Sequence, residues 1–326
     1  MERFRILLET LSVCLAILLG LTAGAQANSF TVYEGTSLTD VSLFGNLSQE
    51  NPIITTTYGG YGCQVTAYTN ALVYLQKAYP SIYGLNLVSD YSENTMANTA
   101  VTLGGSNYLN VQVTKVGSNI TGASSRFRDQ VWGMYTYINE KIPGKTIYAA
   151  QMIPVPDQVN NNPPGGWTGA RYQPGWVSMD PTYPTEAFLY NALSNSQGLV
   201  IDWNQANLNN GQIISPGKSH LLTVTGLTWD SVTNSGTLYY IDPTGGTQRN
   251  SPFWRAVNGV LWMDYGETNG VPWKLQDGTT NWWYSGDVRI SLALSEGPAP
   301  TPLPSTLLLL GSGLLGLVGW RRFRKN

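Results

Sequence analysis

Cys63, His220 and Asp242 carry most of the chemistry this sequence can support. Cys63 closes the glycine-rich stretch Tyr58-Gly59-Gly60-Tyr61-Gly62 and opens a run, residues 64–79, whose apolar spacing predicts a helix stopped by Pro80. A thiol at a helix start lies at the positive end of the helix dipole, beside unpaired N–H groups. That setting favours the thiolate and can hold a developing oxyanion. The glycines let backbone and substrate approach closely. Taken alone, the stretch is better explained by a small buried hydrophobe, the usual fate of a free cysteine.

His220 is the one imidazole in 326 residues and opens a predicted strand, His220 to Trp229, in which it shares a face with Leu222 and Val224. A lone histidine is more often a hydrogen-bonded core or surface residue than a catalyst. Asp242 closes a second predicted strand, Thr237 to Asp242, and opens the turn Asp242-Pro243-Thr244-Gly245-Gly246. An Asp-Pro pair alone is explained by the turn. The polar loop Asp230 to Gly236 joins the two strands into an antiparallel hairpin. His220 and Asp242 are 22 residues apart with their midpoint, position 231, in that loop. Their side chains therefore meet at the open end of the hairpin, with a bulge absorbing the offset. A carboxylate there holds an imidazole in one tautomer. Cys63, His220 157 residues later, and Asp242 supply in order the nucleophile, base and orienter of thiol acyl transfer.

The elements that must position these groups are α+β: a helical first half packed on an antiparallel sheet. Besides residues 64–79, a helix is predicted after Ser124 or Ser125 as N-cap, with Phe127, Val131, Met134, Tyr135, Ile138 and Ile142 inward and Pro143-Gly144 as the stop. A third is predicted over Thr185 to Ser194, with Ala187, Leu189 and Leu193 to one side. Strands are expected at Gly198 to Trp203 and, as one Trp-rich run, at Phe253 to Trp262, besides the hairpin pair. Residues 81–184 stay unassigned as lid, inhibitor or scaffold.

Composition removes most rival chemistries. Charged residues make up 12% of the chain, against about 25% in an average soluble domain. One histidine and two cysteines exclude zinc fingers, multi-histidine metal centres and disulfide frameworks, so no cofactor is expected. Residues 28–300 hold 12 lysine or arginine and 18 aspartate or glutamate residues, a net charge of −6 that argues against a nucleic-acid partner. The loops 277–281 and 230–234 are turn-like but lack the ligand ladder of a calcium site.

The two ends lie outside the fold. Residues 1–27 read as a secretory signal: Arg3 and Arg5, the apolar run Leu11 to Leu21, then Ala25-Gln26-Ala27. Cys14 leaves with it, so the mature chain has one thiol and no internal disulfide. Residues 296–326 combine a Pro-rich spacer, an apolar segment from Leu307 to Trp320 and the basic end Arg321-Arg322-Phe323-Arg324-Lys325. Fourteen helical residues span about 21 Å, short of the roughly 30 Å hydrocarbon core, and the basic end stays on the cytoplasmic side. This tail resembles the PEP-CTERM sorting signal of Gram-negative bacteria, with Leu303 in place of the central glutamate. The resemblance implies export, transient inner-membrane association through the C-terminal helix, processing by an exosortase-type enzyme, and a destination at the cell surface or in a biofilm matrix.

Within a domain expected over residues 28–295, the stretches 55–80 and 185–247 resemble the papain-like cysteine peptidase superfamily, in which the catalytic cysteine opens an early helix and the histidine and acid lie on a later antiparallel sheet. The segments Leu189 to Ile201, Ser219-His220 to Gly226 and Tyr240-Ile241-Asp242-Pro243 are most similar to bacteriocin-processing and immunoglobulin-degrading types. The resemblance implies a hydrolase acting on a peptide or protein substrate through Cys63, His220 and Asp242. The subfamily's Cys-Gly-Pro or Cys-Gly-Ala is Cys63-Gln64-Val65 here, and its upstream oxyanion glutamine falls on Thr57. Gln49, Gln64 or the backbone N–H of Cys63 are the substitutes. A second reading is an exopolysaccharide-binding matrix protein that stacks sugars on Trp254, Trp262, Trp273, Trp282, Trp283 and Tyr284, although tryptophans in a β-rich half are mostly core. A third is an inactive peptide-binding module on the same fold.

Overall fold

The computed structural model describes residues 29–33, 41–152, 177–180, 182–209, 212–256, 259–265 and 287–299. The signal segment, the Leu307 to Trp320 segment, residues 277–281 and the aromatics Trp273, Trp282, Trp283 and Tyr284 lie outside these residues. The described elements run β1 (Ser29–Tyr33), α1 (Pro52–Tyr58), α2 (Cys63–Ala78), α3 (Pro80–Tyr83), α4 (Glu93–Leu103), β2 (Gln112–Val116), β3 (Asn119–Ser124), α5 (Phe127–Lys141), β4 (Thr146–Met152), β5 (Val177–Asp180) and α6 (Glu186–Ser194). The remaining strands are β6 (Gly198–Asn209), β7 (Gln212–Asp230), β8 (Ser235–Asp242), β9 (Thr247–Arg255), β10 (Leu261–Asp264) and β11 (Asp287–Pro298). The architecture is mixed α+β with a large, mainly antiparallel sheet.

Six strands close on themselves. From β6 to β11 each strand pairs with the next, always antiparallel, and β11 returns to β6, so the sheet forms a ring. β4 continues beside β11 past the end of β10, β5 runs parallel to β4, and β1 extends the far end of β7. β11 carries the fold through Pro298, and the N–H of Ala299 donates to the Lys145 carbonyl at 2.8 Å. The expected domain boundary at residue 295 therefore falls inside a strand.

Alternation along the strands divides the apolar side chains between two cores. One, with Leu222, Val224, Leu238, Tyr240 and Phe253, joins the strands to α6. The other packs α2, α4 and α5 against the opposite face through Val200, Leu221, Ile241, Leu292 and Leu294. The catalytic candidates come from both sides of this junction.

Several elements differ from expectation for identifiable reasons. α4 was missed because its sequence, ENTMANTAVTL, is rich in weak helix formers. Burial of Met96, Ala97, Ala100 and Leu103 and a Ser92 cap, whose hydroxyl accepts from the Thr95 N–H, hold it instead. α5 starts at Phe127 with Arg126 at the N-cap, because Ser124 ends β3 and the Ser125 hydroxyl is engaged by Gln64. In α6, Thr185 is the N-cap, its hydroxyl accepting from the Phe188 N–H, but Ala187 is exposed and Ala192 takes the inward position. The run Phe253 to Trp262 is a hairpin rather than one strand, with Trp254 facing Trp262 in register. Gly259, at φ +82°, makes the turn.

Helix α5 is seated by Gly133, where a Cβ would stand 2.5 Å from the Tyr108 carbonyl carbon. Gly133→Ala should therefore lower the thermal midpoint despite alanine's better helix propensity, by the equivalent of about 1–3 kcal/mol. A raised midpoint would show that the Tyr108 segment yields freely.

Candidate active site

The approach to Cys63 is tightly shaped. Asn51 caps α1 by accepting from the Ile53 N–H at 2.9 Å, and Pro52 occupies the first helical position. The chain leaves α1 at Gly59, whose φ of +62° favours glycine, and makes a 3-10 turn over Gly59–Tyr61. At Gly62 a Cβ would collide with Ile54. Gly62 offers no side-chain cap, so the first N–H groups of α2 stay open beside a half-buried Cys63. Behind it α2 is buried on every face from Gln64 to Gln76, not only along Tyr68, Ala71, Leu72 and Leu75 as its spacing implied. The Thr223 hydroxyl donates to the Ala67 carbonyl at 2.8 Å, tying β7 to α2 one turn beyond Cys63.

His220 lies within β7 rather than at its start. The strand runs on through Pro216 and Gly217, with register shifts against β6 between Asn204 and Ala206 and between Asn207 and Leu208. Asp242 ends β8, and the expected bulge appears between Val224 and Gly226. His220 Nε2 sits 2.9 Å from Asp242 Oδ1. Cys63 and His220 line the same cavity, close enough for the thiol to favour the charged imidazole, and with Nε2 on Asp242 the Nδ1 nitrogen is the one left to face sulfur. The structure thus brings Cys63, His220 and Asp242 together.

Asp242 is fully buried and saturated. Its Oδ1 also accepts from the Thr244 N–H at 2.8 Å, and its Oδ2 accepts from the Tyr265 hydroxyl at 2.8 Å and faces Arg249 Nη1 at 3.4 Å. The Tyr265 ring also lies 5.5 Å from the imidazole and 4.4 Å from Trp203, which packs beside it against His220 at 5.6 Å. Sequence reasoning missed Tyr265, Arg249 and Trp203. No spacing rule links them to the site, because Tyr265 and Arg249 reach Asp242, and Trp203 reaches His220, from three different strands or strand ends.

Burial opposes a charged His220, but its hydrogen bonds to Asp242 and Cys63 outweigh this and push it up to about 9. Burial likewise works to raise Asp242, yet hydrogen bonds from His220, Tyr265 and Thr244 hold it below the usual carboxylate range. The pair is built to be an imidazolium beside a carboxylate. Tyr265 is driven upward by burial and by the Asp242 charge, so it remains a donor. Two other carboxyls behave oppositely. Burial raises Asp202 to about 8, against the pull of His220 and Gln130, and raises Glu296 to about 8.

Cys63 and His220 open on a cavity of about 400 Å³. Both candidate oxyanion glutamines line it. Gln64 commits its amide to the Ser125 hydroxyl at 2.5 Å. Gln49 bridges the two halves of the site: its N–H donates to the Pro243 carbonyl at 2.8 Å, and its side-chain amide makes long bonds of 3.3 Å to the Gly60 carbonyl and 3.4 Å to the Thr244 hydroxyl. The hairpin β2–β3 supplies an outer wall through Ala123 and Ser124.

Of the aromatics considered for sugar stacking, Trp262 is buried and Trp254 half-buried, packed with Ala256, Val260 and Tyr183. Asp230 caps its own turn, accepting from the Val232 N–H at 2.8 Å. Among the described residues no cluster of three metal-ligating side chains occurs, and no helix is long and apolar enough to cross a membrane.

No curated protein matches the chain. Residues 300–325 match the PEP-CTERM protein-sorting motif. The chain therefore carries a C-terminal signal for export and membrane-anchored sorting, of the kind an exosortase-type enzyme recognises.

Proposed function

We propose that the protein is an exported, papain-like thiol peptidase acting on amide bonds through Cys63, His220 and Asp242. The observation that carries this reading is the chain of contacts from Cys63 to His220 to Asp242 at the wall of a cavity. In the reaction His220 takes the Cys63 proton and the sulfur attacks the substrate carbonyl. The C–N bond then breaks as His220 returns a proton to the departing amine. Water attacks the thioester, giving its proton to His220, and the C–S bond breaks to release the acid and restore the thiol. The open N–H of Cys63 and the Gln49 amide are the donors nearest the developing oxyanion. Asp242 keeps Nε2 protonated and Nδ1 facing sulfur, while Tyr265 and Trp203 exclude water from that bond.

The test is hydrolysis of an unfolded, dye-quenched protein substrate by the purified mature chain. Activity lost in Cys63→Ser supports the reading. An equally active Cys63→Ser, or an inert wild type whose cysteine resists alkylation, contradicts it.

A further inference from the structure

The cavity beside Cys63 has a polar floor made of groups that folding would ordinarily not bury. Gln64, Gln130, Asp202 and Asn204 come from α2, α5 and β6, each more than nine-tenths buried, and all border the cavity. Gln130 is held in place: its carbonyl oxygen accepts from the Tyr68 hydroxyl at 2.9 Å, and its amide donates to the Ser125 carbonyl at 3.5 Å while lying near enough to Asp202 to favour its charged form. Asn204 is committed to the Ser291 hydroxyl. Asp202 Oδ1, by contrast, is buried with no hydrogen-bond partner. An orphaned carboxyl oxygen is costly in a protein interior and marks a position where a polar partner is missing. Among the described residues no lysine or arginine lines the cavity. The unmet demand is for a donor, and of the donors a peptide side chain offers, a cationic one satisfies a carboxylate most strongly.

We propose that this cavity receives the side chain of a lysine or arginine residue of the peptide substrate, with Asp202 as its counter-charge. The inference rests on the thiol-peptidase reading and names the substrate class for it. When the cation enters, Asp202 releases to solvent the proton that burial otherwise holds on it, and the ion pair replaces the orphaned acceptor. The walls around it, Gln64, Ser125 and Gln130, are neutral and leave room for the aliphatic stem beside Phe127 and Leu221.

The test compares dipeptidyl acyloxymethyl ketones that carry lysine, norleucine or glutamine at each of the two positions nearest the reactive group, with iodoacetamide as a reagent that needs no side-chain pocket. The lysine probe should alkylate Cys63 at least about tenfold faster than the norleucine probe at one of these positions, the discrimination expected of a hydrogen bond to a charged group. Asp202→Asn, which keeps the side-chain shape, should bring that ratio close to one. A wild-type ratio near one, a preference for glutamine, or a ratio unchanged in Asp202→Asn overturns the proposal while iodoacetamide labelling still upholds the thiol site. If neither the probes nor iodoacetamide modify Cys63, the thiol-peptidase reading falls, and this proposal falls with it.

Discussion

Asp242→Ala should cost the fold about 3–5 kcal/mol and reduce turnover by about two to four orders of magnitude. Asp242 is fully buried, and its two oxygens serve the imidazole, the Thr244 N–H, the Tyr265 hydroxyl and Arg249. Truncation strands the buried imidazole and the part-buried Thr244 and Tyr265 donors, and removes the charge that stabilises the His220 cation. The stability loss is read from chemical denaturation and the rate loss from peptide hydrolysis. Asp242→Asn separates the two effects, because it keeps volume and some hydrogen bonds but cannot hold the same imidazole tautomer. Its activity should fall far more than its stability. If Asp242→Asn were as active as wild type, Asp242 would be only a structural cap for its turn.

The folded protein should be most stable in mildly acidic solution and lose stability as pH rises from about 5 to 9. Asp202 and Glu296, ordinarily 3.8 and 4.5, are each raised to about 8, so between those limits the folded chain keeps protons the unfolded chain has released. Each such proton lowers stability by up to about 1.4 kcal/mol per pH unit. His220, raised from 6.5 to about 9, acts in the same direction: its contribution is complete below 6.5 and is lost as pH climbs through 9. Asp242 acts oppositely, its lowered value contributing stability above 3.8 that is lost on further acidification, which sets the acid limit. Thermal midpoints measured from pH 4 to 9 should pass through a maximum near 5. Glu296→Gln, which removes the titrating proton from a site with no polar partner, should flatten the decline. A midpoint that rises steadily from pH 5 to 8 would mean that these carboxyls are ionised in the fold.

The parts of the site legible in the sequence were those written in local chemistry. Gly62 followed by a cysteine and a helical run located the candidate nucleophile, and the loop between the two strands located the hairpin whose bulge lets His220 reach Asp242. The long strand around His220 was not legible, because Pro216 and Gly217 look like a terminator when register shifts in the partner strand are unknown. Neither was the ring closure of β11 onto β6, which joins residues about 90 positions apart through hydrogen bonds that leave no periodic trace. The same limit hid Tyr265 and Trp203. Aromatic residues near the chain end suggested a sugar-stacking strip, while Trp254 and Trp262 pack into a small cluster behind a turn. The sorting signal was readable in full because its elements are contiguous.

The central claim is that Cys63 is a nucleophile activated by His220, and covalent labelling tests it most directly. The mature chain should react with a thiol-directed epoxide at neutral pH, and peptide mapping should place the adduct on Cys63. His220→Ala should slow that reaction by about 100-fold or more while leaving the protein folded by circular dichroism. Absence of an adduct on Cys63, or equal labelling of wild type and His220→Ala, would contradict the account.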